Sequence, residues 1–278
     1  MDWNKYLSEP KYWLVGIGAS LIFLHLNLVN QYGNVDFMGS SILFWGAVVF
    51  LIWERHEKIN LESGIFASFF AATVIALVLL KCLSLSSYDI FLRFSPFISA
   101  LSIGLLASDF KGLKQYWQEL IILGFIAIPP GLPTQFIDLA KITAKFSYFS
   151  LWYFGLEVTR QGNYLFLRNG SVEVNEGCSG IHVILQLLGL AIIFLFMFPE
   201  IKLKQKIITP MVAVFIAFFV NSIRVALLAI LVSNKESFEY WHQGGGSFVF
   251  SMIAVMIFGV FCQFAILGKI PENQKSVE

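Results

Sequence analysis

The sequence predicts an all-α polytopic membrane protein with about eight transmembrane helices. Apolar residues make up 57% of the 278 residues and charged residues only 13%, whereas soluble domains carry roughly 25% charged residues. Apolar runs of spanning or near-spanning length recur along the chain, as expected where helices of about 20 residues cross a bilayer. We therefore predict one integral membrane domain over residues 1–278. The chain has no basic run long enough to bind nucleic acid, so no nucleic-acid partner is expected.

The apolar runs place the helices in chain order. The predicted spans are Trp13–Val29, Met38–Trp53, Ile65–Leu80, Phe94–Ala107, Glu119–Ile128, Cys178–Phe198, Ile207–Val232 and Ser247–Leu267. The first is interpreted as a retained helix because no small-residue cleavage site follows it. The fifth is short and stops at Pro129-Pro130, since two fixed φ angles and two missing N–H groups break a helix.

Lysine and arginine are distributed unevenly between the loops, and this distribution predicts the orientation of the helices. With eight spans, one side receives Lys5, Lys11, Arg55, Lys58, Lys111, Lys114, Lys202, Lys204, Lys206, Lys269 and Lys275. The opposite side receives fewer, most of them within the long segment 131–176, and long segments count little in this rule. We therefore expect a multi-pass protein of the cell inner (plasma) membrane, with both termini cytoplasmic and residues 131–176 extracytoplasmic.

The extracytoplasmic segment is predicted to contain a short amphipathic helix and a β-hairpin. The helix is placed over Gln135–Phe146. Its polar side carries Asp138, Lys141 and Lys145, and its apolar side carries Phe136, Ile137, Ala140 and Ala144, followed by Phe149, Leu151, Trp152 and Tyr153. A helix lying in the outer membrane interface and a core helix of a small outer domain would both show this pattern. Aromatic and branched residues then flank Asn169-Gly170, a pair that favours a hairpin turn.

Cys178 lies where the hairpin meets the sixth predicted helix, between Gly177 and the pair Ser179-Gly180. N–H groups at the start of a helix would lower the pKa of its thiol and favour the thiolate, the form that attacks a carbonyl carbon. A buried structural cysteine is the plainer interpretation. Other residues of the chain must decide between the two.

No metal or other cofactor is expected. The three cysteines, Cys82, Cys178 and Cys262, fall in or beside separate apolar runs and show neither a disulfide framework nor a zinc-type spacing. Glu176 and His182 near Cys178 would supply only an incomplete tetrahedron of ligands.

Arg224 is an arginine inside the seventh predicted helix, eight residues before Val232. That spacing puts it about 12 Å below the helix end. A guanidinium costs about 2.5 kcal/mol or more near the bilayer centre, and such residues are usually functional or paired inside the bundle. Snorkelling outward to phosphates is the alternative. Asn221 is its neighbour on one helix face, at i and i+3.

His242 precedes Gly244–Gly246 at the start of the last predicted helix. A lone interfacial histidine is usually unremarkable, but this one is predicted on the same membrane face as Cys178 and Arg224. A thiol, an imidazole and a guanidinium are the parts of a cysteine acyl-transfer site. His182 competes with His242 because it lies at i+4 from Cys178, and these residues alone leave the two histidines open.

A transporter or channel in which Arg224 binds an anion is the alternative function. Transporters usually show repeated halves with polar residues in matching positions. No internal repeat is visible in this sequence.

Three motifs in order, Glu176-Gly-Cys178-Ser-Gly180-Ile, Asn221-Ser-Ile-Arg224 and His242-Gln-Gly-Gly-Gly246, resemble the exosortase/archaeosortase family. They are most like its cyanobacterial branch, the cyanoexosortases. The resemblance implies a membrane cysteine transpeptidase or protease that forms a thioacyl-enzyme. It implies that Cys178, Arg224 and His242 are catalytic, which selects His242 over His182, and we expect Asn221, Ser179 and Gly180 to support them.

The resemblance also implies the partners. They are exported proteins with a C-terminal sorting signal, which consists of a Pro-Glu-Pro-type motif, a transmembrane helix and a basic tail. Membrane lipid surrounds the enzyme, and the nucleophile that accepts the acyl group is not specified by the sequence.

Overall fold

The structure, a computed structural model, describes residues 9–269. Contacts between residues divide the chain into two compact units, one ending at Pro129 and the other beginning at Pro130. The single domain expected from the sequence stays a prediction. Lys5 and Lys275, which entered the orientation prediction, lie outside the described residues.

The first unit is helical. Its helices are α1 (Pro10–Tyr32), α2 (Val35–Glu54), α3 (Ile65–Leu83), α4 (Phe91–Gly112) and α5 (Trp117–Ala127). α1 begins at Pro10, whose fixed φ suits a first helical turn. α2 begins after Asn34, whose side chain accepts a hydrogen bond from the Phe37 N–H.

The chain reverses direction between α4 and α5. Asp109 adopts φ +62°, which interrupts α4 near its end. Across this reversal, Gly104 of α4 lies against Tyr116, and Gly124 of α5 lies against Phe97 of α4. Helix positions that approach in this antiparallel order form a helical hairpin, in which the small glycines allow the two helices to come close.

Arg55 and Glu119 form an ion pair within the first unit. Glu119 is buried, and Arg55 is only partly exposed. Removing one partner of such a pair would leave the other charge uncompensated, which is strongly destabilising. The pair therefore fixes the end of α2 against the start of α5.

Within residues 9–269, six apolar helical stretches are long enough to cross a membrane. They are Pro10–Tyr32, Val35–Glu54, Ile65–Leu83, Phe91–Ala127, Leu203–Leu231 and Gly245–Ile266, and Ile181–Met197 is a shorter apolar helix. The protein is therefore a polytopic helical membrane protein. The stretch from Phe91 to Ala127 is the helical hairpin, and α5 alone covers only about 16 Å of a hydrocarbon core of about 30 Å. The count of eight spans stays a prediction.

The second unit combines helices with a small sheet. Its elements are α6 (Gly131–Thr134), α7 (Leu139–Tyr153), β1 (Val158–Gln161), β2 (Tyr164–Leu167), β3 (Gly170–Glu173), α8 (Ile181–Met197), α9 (Leu203–Leu231), α10 (Lys235–His242) and α11 (Gly245–Phe261). α8, α9 and α11 pack around small buried residues such as Ala191, Ala217 and Ala254. Small side chains let membrane helices approach closely.

The sheet has three antiparallel strands in the order β1-β2-β3. β2 and β3 pair with Leu167 opposite Gly170, on either side of the turn at Arg168-Asn169. β1 is an addition to the expected two strands. One face of the sheet buries Val158, Leu165 and Val172 in a core shared with α7 and α9. The end of β3 is thereby fixed on α9, which carries Arg224.

α7 begins at Leu139, not at Gln135 as predicted from the sequence. The Asp138 side chain accepts a hydrogen bond from the Lys141 N–H, which caps the helix at this point. The buried residues of α7 are Ala140, Thr143, Ala144, Ser147 and Leu151. α7 thus packs a narrow face of small residues into the core shared with the sheet and α9, while aromatic residues of the predicted apolar side, such as Phe149 and Trp152, are exposed.

Candidate active site

Cys178 lies on a tight turn between β3 and α8. Residues Glu176–Cys178 form a single 3-10 turn, and the Asn175 side chain accepts a hydrogen bond from the Cys178 N–H at 3.1 Å. The Ser179 hydroxyl donates to the carbonyl oxygen of Glu176 at 2.6 Å. These local bonds fix the turn, and the cysteine side chain is only 3% exposed.

Gly180 separates this turn from α8. Its φ of +91° is in the left-handed region, which favours glycine. Cys178 is therefore not in the first turn of the helix, as the sequence had suggested, because α8 begins only at Ile181. A Cβ at Gly180 would lie 2.7 Å from Asn221 Nδ2. Glycine at this position lets Asn221 reach the turn, where its Nδ2 donates to the carbonyl oxygen of Cys178 at 2.9 Å.

Two hydroxyl groups of α7 donate hydrogen bonds to backbone carbonyl groups near the thiol. Thr143 Oγ1 donates to the carbonyl oxygen of Ser179 at 2.9 Å. One helical turn later, Ser147 Oγ donates to the carbonyl oxygen of Ser222 at 2.8 Å. Both side chains are fully buried. Sequence reasoning missed them. Their i, i+4 spacing was a possible signal, but the helix predicted from the sequence ended at Phe146 and left Ser147 outside it.

His242 is the last residue of α10, and its imidazole meets the thiol. The distance from His242 Nε2 to Cys178 Sγ is 3.2 Å, within hydrogen-bond range for sulfur. The Phe238 ring packs against the imidazole with a centroid distance of 5.2 Å. His182, the competing histidine of the sequence analysis, has an exposed side chain on the first turn of α8.

Arg224 lies on α9 one turn beyond Asn221 and reaches the end of α10. Its Nη2 donates to the carbonyl oxygen of His242 at 2.6 Å, and its Nε donates to that of Trp241 at 3.4 Å. Its Nη1 lies 3.5 Å from Asn221 Oδ1. The structure thus brings Cys178, His242 and Arg224 together in one site of the second unit, with Asn221 between them.

Burial raises the pKa of the Cys178 thiol, and the positive charge of Arg224 opposes that rise only in part. The expectation of a lowered thiol pKa is therefore wrong, because the thiol lies in a buried turn and not at a helix start. Burial and the charge of Arg224 lower the pKa of His242, while Glu239 raises it. At neutral pH the resting pair is therefore a neutral thiol beside a neutral imidazole that can accept its proton.

Among residues 9–269, no three histidine, cysteine, aspartate or glutamate side chains come together as a set that could hold a metal ion. The side chains that the structure brings together at this site are a thiol, an imidazole and a guanidinium. Such a set can carry out nucleophilic acyl transfer with proton transfer by the imidazole.

A polytopic helical membrane protein with a buried thiol beside an imidazole is the class that the fold and the site define. Residues 33–259 match the family model described as transmembrane exosortase (Exosortase_EpsH). Because the match covers most of the chain, the protein belongs to the exosortase/archaeosortase family. The resemblance to this family is thereby confirmed, and the cyanobacterial branch stays a prediction.

One curated relative is "Probable archaeosortase E" from Methanocaldococcus jannaschii. It is 32% identical over 99 residues, which are 35% of this chain and 50% of the relative. The chain thus spans about half the length of that relative. No solved structure matches the chain significantly.

Thr143→Val is expected to destabilise the protein by about 1–3 kcal/mol, because the change leaves the buried carbonyl of Ser179 without its side-chain donor. Thermal unfolding in detergent measures this loss. Ser150→Ala is the matched control, since the Ser150 hydroxyl donates to Phe146 within the same helix. Equal stability of the two variants would contradict a role of Thr143 in holding the turn.

Proposed function

We propose that this protein is a membrane cysteine transpeptidase or protease that cleaves C-terminal sorting signals from exported proteins. The observation that carries the proposal is the distance of 3.2 Å between Cys178 Sγ and His242 Nε2. Membership of the exosortase/archaeosortase family supports it, because that membership suggests a membrane enzyme acting on sorting signals.

The first half-reaction forms a thioacyl-enzyme. The Cys178 sulfur attacks the carbonyl carbon of the substrate peptide bond while the thiol proton passes to His242 Nε2. The carbonyl electron pair moves to oxygen and gives a tetrahedral intermediate. Its collapse breaks the C–N bond, and His242 returns the proton to the leaving amine. Proton transfer during attack suits a thiol whose pKa is raised by burial, because little thiolate is present beforehand.

The second half-reaction releases the acyl group. An amine, or water, attacks the thioester carbonyl and gives its proton to His242. The C–S bond then breaks, and the proton returns to the Cys178 sulfur. The identity of the nucleophile decides between transpeptidation and hydrolysis.

The substrate follows from the family resemblance. It is an exported protein whose C-terminus carries a Pro-Glu-Pro-type motif, a transmembrane helix and a basic tail. A membrane-embedded signal of this kind suits an enzyme whose site lies beside apolar helices such as α8 and α9. We place the site at the extracytoplasmic face of the inner membrane, where exported proteins emerge.

The alternative, a transporter in which Arg224 binds an anion, gains no support from the contacts of this residue. The guanidinium donates to the backbone carbonyls of Trp241 and His242. These bonds direct at least two of its donors to the protein itself.

Trapping the covalent intermediate tests the proposed reaction. The probe is an exported reporter protein that ends in the three-part signal, produced together with the full-length enzyme in membranes. We expect an adduct on the peptide that contains Cys178, cleaved by neutral hydroxylamine as a thioester is. Processed reporter with its adduct on another residue, or processing without any thioester, would overturn the assignment.

The membrane side on which each loop lies can be tested with reporter fusions. Reporter domains fused after Lys206 should be cytoplasmic, and those inserted near Gly170 or Lys235 should be extracytoplasmic, because basic residues collect on the cytoplasmic side. Compartment-specific reporter activity is the measurement. A cytoplasmic result at Gly170 would place Cys178 on the wrong side for exported substrates.

The pH dependence of processing should show the environment of His242. Its imidazole must be neutral to accept the thiol proton, and its pKa is lowered, so the acid limb of the pH–rate profile should lie below the ordinary histidine pKa of about 6.5. Glu239→Gln should move this limb to still lower pH, because Glu239 raises the pKa of His242. Glu236→Gln, on the same helix, is the control. A Glu239→Gln limb at higher pH would contradict the assignment of His242 as the base.

A further inference from the structure

We propose that Arg224 is a positioning residue, which holds the imidazole of His242 against the Cys178 thiol through the backbone at the end of α10. The inference rests on the proposed function, in which His242 accepts the thiol proton. It assigns Arg224 an action that precedes substrate binding, distinct from binding the oxyanion of the tetrahedral intermediate.

His242 lies at the end of α10, where backbone carbonyl groups are available to accept hydrogen bonds from a side chain. The last four carbonyl groups of an α-helix have no partner within the helix. The N–H groups of Gln243 and Gly244 both turn back to the carbonyl of Glu239. The carbonyls of Trp241 and His242 accept instead from Arg224. The guanidinium therefore caps the helix from outside, in the way basic side chains can cap a helix C-terminus.

The shape of the guanidinium suits two adjacent carbonyls. Nε and Nη2 belong to one planar group, and they donate to the carbonyls of consecutive residues. A lysine ammonium is a point charge on a flexible stem, without this fixed fork. Two bonds to consecutive carbonyls restrict the rotation of the peptide unit between Trp241 and His242, and with it the direction of the His242 side chain.

The same turn of α9 also holds the nucleophile. Asn221, at i−3 from Arg224, donates to the carbonyl oxygen of Cys178 at 2.9 Å and is buried. The positions i and i+3 of a helix are neighbours about 5–6 Å apart. One rigid helical turn therefore sets the backbone of Cys178 on one side and that of His242 on the other, and the distance between thiol and imidazole follows from this spacing.

Alkylation of Cys178 by iodoacetamide separates the two possible actions of Arg224. This reaction displaces iodide from a saturated carbon and forms no tetrahedral oxyanion, but it still needs the thiol to lose its proton. The full-length protein in membranes is used, with Cys82→Ala and Cys262→Ala so that Cys178 is the remaining thiol. The rate at pH 7 is compared among the parent, Arg224→Lys, His242→Ala, the Arg224→Lys/His242→Ala pair and the control Arg168→Lys.

If Arg224 positions His242, Arg224→Lys should slow alkylation as much as His242→Ala does, although the positive charge is kept. The double variant should be no slower than His242→Ala alone, because both changes remove one and the same interaction. Arg168 lies on the exposed turn between β2 and β3, and Arg168→Lys should alkylate at the parent rate. An Arg224→Lys variant that alkylates at the parent rate but processes no reporter would overturn the positioning role and leave the proposed function intact.

Chemical rescue gives a second readout if Arg224→Lys folds poorly. Methylguanidinium added to Arg224→Ala should restore alkylation, whereas methylammonium of the same charge should not, because only the former offers a planar fork. Equal rescue by both cations would show that charge alone is needed, and it would overturn the proposal. A parent protein that alkylates as expected but never processes the reporter would instead reject the proposed function.

Discussion

Cys178→Ala is expected to abolish processing of a signal-bearing reporter while the protein remains inserted in the membrane. The sulfur is the atom that attacks in the proposed reaction, and alanine offers no nucleophile in its place. Loss of a nucleophile from a coupled set of catalytic residues costs on the order of 10⁴-fold or more in rate. Immunoblots of precursor and product in cells that produce each variant measure the loss.

The other two cysteines provide matched controls. Cys82 and Cys262 are also buried and free, but they lie on α3 and just beyond α11. Cys82→Ala and Cys262→Ala should process the reporter as the parent does. A Cys178→Ala variant that still processes the reporter would show that the thiol is not the nucleophile. His242 would then have no thiol proton to accept.

Cys178, His242 and Arg224 were each singled out from the sequence, but the sequence did not show how closely they approach one another. Arg224 was conspicuous because a charge inside an apolar helix is costly. Cys178 and His242 were conspicuous only through short motifs beside helix ends, and only the family resemblance chose between His242 and His182. The distance of 3.2 Å between Sγ and Nε2 depends on how α9 and α10 pack, which is long-range information.

Local backbone geometry explains the error about the thiol. The sequence placed Cys178 in the first turn of a long apolar run, where helix-start N–H groups would stabilise a thiolate. Gly180 has a left-handed conformation, so the helix begins only after it, at Ile181, and Cys178 lies before the helix. An apolar sequence pattern does not distinguish a helix from a buried turn leading into it, so the sign of the pKa shift could not be obtained from the pattern.

The hydroxyl groups of α7 and the strand β1 were missed for different reasons. Thr143 and Ser147 are ordinary residues for an amphipathic helix, and only their tertiary contacts with Ser179 and Ser222 show what they do. β1 has only four residues, two of them charged or amide-bearing, so its alternation is too short to predict a strand. Its pairing with β2 places Val158 in the core shared with α7 and α9, a tertiary contact that the sequence pattern does not show.

Gly180→Ala is expected to abolish or nearly abolish processing, although the change adds only one methyl group. A left-handed backbone costs an L-residue roughly 1–2 kcal/mol, and at φ +91° alanine would bear that cost. In addition, the new Cβ would lie 2.7 Å from Asn221 Nδ2 and 2.9 Å from Asn221 Cβ. One of the two side chains must move, and the bond from Asn221 to the carbonyl of Cys178 is lost with that movement.

Gly162→Ala separates the steric effect from the conformational one. Gly162 also has a positive φ, +60°, but a Cβ there would meet nothing within 4 Å. This variant bears the backbone cost alone and should process the reporter at the parent rate in the same immunoblot assay. Equal processing by Gly180→Ala and Gly162→Ala would show that the contact with Asn221 is not needed to hold the thiol. It would also contradict the inference that the turn of α9 holding His242 also holds Cys178 through Asn221.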